Sequence, residues 1–406
     1  MPKPLSPVWL TITICLAEVF SMTGAAVVPG LTPVLKHEWS LSNTAVGWLN
    51  GINHVGYVIA VPILAGLTDR IAPRVVYCSS LLIAALACLG FAYFAAGLWS
   101  ALLYHMLMGV GLAGTYMPGL KILSDRLAGK AQSRATALYT SSFGIGLSLS
   151  FFVSGHVQRA LGWHEAFYMA SIGPLVAILL ILILVHRDDP KHFEAPETHL
   201  LDFRPVLRSR PAMGFVWAYT VHNFELFAFR SFMVLFLVFA QKLHPENDFA
   251  LNATTLAAII TLFGQPASFF GNEGALRFGR HRWITAVMII AATLAAVLGF
   301  LAAIPFWVLF AVCCVYMYSI NSDSAAITAG MVGVAPPGYR GATMAVHSCL
   351  GFSGSAMGPL LFGVVLDLSG GGTSVVSWGT SFASVAVIGL LGPLALWWSR
   401  RNTNHC

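Results

Sequence analysis

The stretch Val8–Leu31, VWLTITICLAEVFSMTGAAVVPGL, is apolar over the length of a bilayer-crossing helix and yet carries Glu18 near its middle. A second stretch, Ala212–Leu237, AMGFVWAYTVHNFELFAFRSFMVLFL, repeats the arrangement around Glu225. About 20 apolar residues are needed to cross a hydrocarbon core as helix. An ionised group inside one costs roughly 2.5–3.5 kcal/mol even on lenient insertion scales. The two glutamates are 207 positions apart, and the same offset carries Arg70 onto Arg277, Thr136 onto Thr343 and Gly144 onto Gly351. Such matches, at equivalent depths of equivalent runs, point to a duplicated chain with working groups on its inner axis.

Twelve runs of this kind follow one another: Val8–Leu31, Asn43–Leu67, Val75–Phe94, Leu98–Leu120, Ala135–Gly155, Ala166–Val185, Ala212–Leu237, Ala250–Glu273, Trp283–Ala303, Pro305–Met331, Ala342–Leu366 and Trp378–Trp398. The expected fold is therefore an all-α membrane protein of twelve transmembrane helices in two pseudo-symmetric six-helix bundles, residues 1–185 and 212–406. A polar linker, residues 186–211 with the tract HRDDPKHFEAPE, separates them. Composition agrees: 57% of residues are hydrophobic and 9% charged, against about 25% charged in soluble domains. Six of the seven cysteines lie in apolar runs and the seventh is Cys406, so no disulfide framework is indicated. Met1–Pro7 is too short for a signal-peptide n-region with its own cleavage site, so the first run is expected to be a retained helix.

Lys and Arg in alternate loops set the orientation. With the N-terminus inside, eighteen face the cytoplasm and three, Lys36, Arg159 and Lys242, face outward; Arg230 remains within the seventh run. Both termini are expected to be cytoplasmic, in a multi-pass protein of the cell (inner) membrane. The net charge of +6 is thereby a topology signal that calls for no nucleic-acid partner.

Two loops carry related motifs. AGLTDRIAPR, Ala65–Arg74, joins the second and third helices, and NEGALRFGRHR, Asn272–Arg282, follows the eighth. They resemble the cytoplasmic signature of the major facilitator superfamily, a glycine, an Asp-Arg pair, a second glycine and further basic residues. Asp69, Arg70 and Arg74 match that pattern in the first copy, with Ala65 and Ala72 at the glycine positions. Arg277, Gly279 and Arg280 match in the second, with Leu276 in place of the acid. The resemblance implies a cytoplasmic gate at these six residues; simple positive-inside anchoring is the alternative. In the fourth helix, His105-Met-Leu-Met-Gly109-Val-Gly111 resembles the family's arginine followed by G-x-G, with histidine in the arginine's place. Helix five, SSFGIGLSLSFF, lacks the Gly-Pro signature usual in antiporters of the superfamily, which disfavours drug/proton antiport.

The seventh helix carries the densest chemistry. His222 and Glu225 are three apart on one face and within reach of a hydrogen bond, with Asn223 beside them. Arg230 lies five residues beyond Glu225, about 140° away around the helix, so it is free to meet another helix, to snorkel or to face an anion. Asn50, Asn53 and His54 form a polar stripe on the second helix, while Tyr318, Asn321 and Asp323 lie late in the tenth. The superfamily fold implies a central cavity lined by helices one, four, seven and ten, which hold Glu18, His105, Glu225 and Asp323. Trp217 and Tyr219 are further candidates for its lining.

Buried carboxylates of this kind can carry protons during alternating access, or can lock helices together. The candidate proton-coupling or substrate-binding residues are Glu18, Glu225, Asp323, His222, Arg230, His105, Asn53 and His54. No zinc spacing, P-loop or nucleophile elbow is present, so no metal, cofactor or enzymatic activity is expected. The expectation is a monomeric secondary transporter that moves a small organic solute, with protons and the bilayer as its other partners, and uptake is favoured. Proton-linked efflux of drugs or metabolites on the same architecture is the first rival. A non-transporting receptor or scaffold is the second, although such proteins often have a long soluble domain that is missing here.

Overall fold

The computed structural model describes residues 6–68, 71–185, 202–245 and 251–400, and among them every regular element is helical. Twelve long helical segments run in order: α1 (Pro7–Glu38), α2 (Asn43–Leu67), α3 (Pro73–Phe94), α4 (Leu98–Ser124), α5 (Gly129–Ala160), α6 (Trp163–Leu184), α7 (Arg210–Lys242), α8 (Ala253–Phe278), α9 (Arg280–Ala303), α10 (Phe306–Gly333), α11 (Arg340–Leu368) and α12 (Val375–Arg400). Eleven are long and apolar enough to cross a membrane. The other is α2, 25 residues long, which carries the Asn50, Asn53 and His54 stripe. Helix starts follow the local chemistry. Ser6 and Ser209 accept from the backbone amides of Trp9 and Ala212, ahead of prolines at the first helical positions. Asn252 caps α8 through the Thr255 amide at 2.7 Å, and Ser374 with Ser377 forms a capping box on α12.

Several of the segments are broken inside their apolar runs, a feature that hydrophobicity alone does not encode. In α1 the break is a single 3-10 turn, Met22–Gly24, one turn beyond Glu18. Ser150 of α5 stitches it: its hydroxyl accepts from the Ala26 amide at 3.0 Å and donates to the Thr23 carbonyl at 2.6 Å. Such side-chain substitution is what allows a helix to be interrupted where water is scarce. In α10 the break falls at Ser322–Asp323, and the Trp283 indole donates to the Ser322 carbonyl at 3.2 Å.

Close helix approach depends on glycine. In α4, a Cβ on Gly109 would overlap the Asn53 carbonyl oxygen of α2, and one on Gly111 would sit 2.8 Å from Ala84 of α3. The G-x-G of α4 thus lets one helix pack tightly against two neighbours. Gly351, Gly354 and Gly358 of α11 do the same against Tyr219, Thr220 and Phe224 of α7.

The chain divides into two compact units, one formed by Met1–Val34 and Ile52–Ala195, the other by Leu35–Gly51 and Pro196–Cys406. Residues 35–51 precede the linker in sequence but belong to the second unit. Their attachment is specific. Asp367 of α11 accepts from the Asn43 and Thr44 backbone amides at 3.0 and 2.7 Å and from the Thr44 hydroxyl at 2.6 Å. It thereby neutralises the free amides at the start of α2. The core of the first unit gathers Leu10, Ile14, Tyr77, Leu81, Tyr139 and Ile181; that of the second gathers Phe215, Val216, Ile284, Met288, Ile327 and Leu396.

Candidate functional site

Glu18 is completely buried in the first unit. Tyr139 of α5 donates its hydroxyl to Glu18 Oε2 at 2.7 Å, and Tyr77 of α3 and Ser21 of α1 reach the same oxygen at 3.4 Å. The other oxygen, Oε1, is sealed without a hydrogen-bond partner. Ser21 also lines a cavity of about 20 Å³ together with Gly24, Asn53, Cys88, Met108 and Thr115, a volume that suits a single water. His105 is buried near this region, and its carbonyl accepts from Asn53 Nδ2 at 3.1 Å. His54 is buried on α2.

Glu225, 2% exposed, occupies the matching position in the second unit. Its Oε1 accepts from the Tyr316 hydroxyl of α10 at 3.0 Å. The expected His222–Glu225 hydrogen bond is not formed. Instead His222 Nδ1 lies 2.7 Å from Asp323 Oδ1, an ion-pair distance whose direction falls outside that of a hydrogen bond. The break in α10 explains the exchange, because it brings Asp323 to His222 from another helix. Tyr219 and His347 stack at 4.0 Å, and Tyr219 lies parallel to His222 at 5.7 Å, so three flat rings form a ladder ending at Asp323. His347 is buried on α11. Its position on α11 gave no signal of which rings it would meet. Trp217, by contrast, is 44% exposed.

Both carboxylates are held by tyrosine hydroxyls, and no Lys or Arg lies within ion-pair distance of either among the described residues. A hydroxyl donates to a carboxylate and accepts from a protonated acid equally well, so this setting satisfies the group in either protonation state. An arginine partner would hold it charged.

Arg230 is 7% exposed. Its guanidinium lies 5.4 Å above the Phe227 ring of the preceding turn, and Nε is sealed without a partner.

Of the loop motifs, Asp69 and Arg70 lie outside the described residues. Arg74 donates to the Leu182 carbonyl at the end of α6 at 2.8 Å. Arg280 donates to the Ala326 carbonyl of α10 at 2.8 Å, and Gly279 turns the chain with φ +89°, a conformation that glycine adopts without steric cost. Arg277 lies over the Phe278 ring.

The description of the Major Facilitator Superfamily matches residues 14–359. The chain belongs to that superfamily. Niacin transporter NiaP of Acinetobacter baylyi is 28% identical over 169 residues, 42% of this chain and 38% of that protein. Protein spinster of Drosophila melanogaster is 24% identical over 315 residues, 72% of this chain and 50% of that protein. The chain thus spans half the length, or less, of these curated relatives. Among solved structures, a bacterial homolog of the human lysosomal transporter Spinster, inward-facing and occupied, superposes with a TM-score of 0.77 at 15% identity, covering 99% of this chain and 98% of that one. The nucleoside transporter NupG gives 0.76 at 17% identity, covering 97% and 99%. These likenesses establish the twelve-helix superfamily fold.

Proposed function

We propose that this protein is a proton-coupled secondary transporter that takes up a small organic solute by alternating access, working as a monomer with both termini in the cytoplasm. The observation that carries the reading is the pair Glu18 and Glu225. They lie 207 residues apart at matching points of two bundles, are buried, and are held by tyrosines that accommodate the group with or without its proton. Family membership supports transport, and the relative named for niacin supports a small organic cargo. His222 Nδ1 and Asp323 Oδ1, 2.7 Å apart, add a second cluster of polar groups inside the apolar helices.

In this scheme a proton on Glu225 or Glu18 sets which side of the membrane the site faces, and the solute moves when both occupants are bound. The residue pairs of the loop motifs, with Asp69, Arg70, Arg74, Arg277, Gly279 and Arg280, act as the cytoplasmic gate. In proteoliposomes, E225Q and E18Q are expected to lose uptake driven by a pH gradient by more than tenfold while retaining exchange of solute for solute. Gradient-driven uptake at the wild-type rate in both variants would remove the proton-carrier assignment.

A further inference from the structure

We infer that Arg230 is the counter-ion for an anionic group on the transported solute, so that the cargo is an organic anion such as a carboxylate. The inference rests on the transport reading above and goes on to the charge of what is carried. Arg230 is the one residue of 22 Lys and Arg that the loop count leaves inside an apolar run. It is more than nine-tenths buried, and a buried cation is tolerated only when something offsets its charge. Within the second unit no carboxylate lies within ion-pair distance of it among the described residues. Glu225 is five residues away, turned about 140° around the helix, and is engaged by Tyr316. The Phe227 ring at 5.4 Å offsets part of the charge by a cation–π contact and holds the guanidinium plane in place.

The guanidinium nitrogens are unequal. Nε is sealed without a partner, whereas Nη1 and Nη2 are not sealed and meet no hydrogen-bond acceptor among the described residues. The open pair is the edge that receives a carboxylate by two parallel hydrogen bonds. Asn223 lies seven residues earlier, about 20° from Arg230 around the helix and about 10 Å along it. Its Nδ2 is likewise sealed without an acceptor. Asn223 is therefore closed to a solute in this structure, and among the described residues Arg230 alone presents an open donor edge on this stripe.

The test uses wild-type, R230Q and R230K protein in liposomes given a bacterial small-molecule extract, with the retained compounds identified by mass spectrometry against empty liposomes. Expected are retained compounds that carry a negative group, reduced roughly tenfold or more in R230Q and partly recovered in R230K. Benzoate is expected to compete with their uptake where benzamide does not. Retention of neutral or cationic compounds, or of anions at the wild-type level in R230Q, overturns the inference and leaves transport standing. Retention of nothing overturns the transport reading and this inference with it. Should R230Q fail to purify as a monodisperse protein, the charge of the compounds carried by the wild type, with the benzoate and benzamide competition, decides.

Discussion

A buried carboxylate has two possible occupations, holding helices together or exchanging a proton, and its neighbours distinguish them. Glu18 meets three hydroxyls at one oxygen and none at the other. Glu18→Gln keeps an acceptor for those hydroxyls, so its thermal stability is expected to fall by no more than about 1 kcal/mol. Tyr139→Phe removes the shortest donor and leaves a buried charge less satisfied, with an expected loss of about 1–3 kcal/mol. Unfolding of the purified variants followed by intrinsic fluorescence measures both. A stable E18Q that has lost gradient-driven uptake assigns the carboxylate to proton chemistry; an E18Q as unstable as Y139F assigns it to helix locking. The glutamates themselves were legible in the sequence because charge inside an apolar run stands out. Their tyrosine partners were not. Tyr77, Tyr139 and Tyr316 sit on other helices, and spacing along the chain says nothing of which helices are neighbours. His222 illustrates the same limit: the i+3 rule offered Glu225, but packing supplied Asp323.

At the scale of the helices, apolar runs locate the crossing segments well but their ends and breaks poorly. The helical segment that begins at Pro7 runs to Glu38, and the fifth runs from Gly129 to Ala160, past charged residues that a hydropathy reading counts as loop. A helix needs satisfied backbone groups, and a charged side chain such as Lys36, which donates to Asn43 Oδ1, finds its own partner while the backbone stays helical. The breaks in α1 and α10 are invisible for the converse reason, since they depend on Ser150 and Trp283 from other helices. The G-x-G of α4 stands out in the sequence as a motif, and the structure turns its glycines into a quantitative contrast with Gly97. Gly109→Ala places a methyl group into the Asn53 backbone carbonyl and is expected to cost about 1–3 kcal/mol through a forced helix shift. Gly97→Ala meets nothing within 4 Å in extended backbone, and a change of no more than about 0.5 kcal/mol is expected. Melting temperatures of the two purified variants make the comparison; equal losses would mean that α4 does not depend on close approach to α2.

For the whole molecule, the proposed orientation rests on the distribution of basic residues among the loops of the sequence. Counted along the sequence, the bias is eighteen basic residues against three, more than a single loop could reverse. The assignment of residues 35–51 to the second unit could not be read from the same data, because it rests on the Asp367 cap and on glycines 47 and 51, whose added Cβ atoms would meet the backbone of Pro359 and Ala356. Orientation can be tested at two turns of this second unit. Gly338, between α10 and α11, is expected to face the cytoplasm, and Gly371, between α11 and α12, to face outward. Alkaline phosphatase, which is active only after export, is expected to be active when fused after Gly371 and inactive when fused after Gly338. The reverse pattern would place the basic loops outside and would require the proton gradient to act on Glu18 and Glu225 in the opposite sense, turning uptake into efflux.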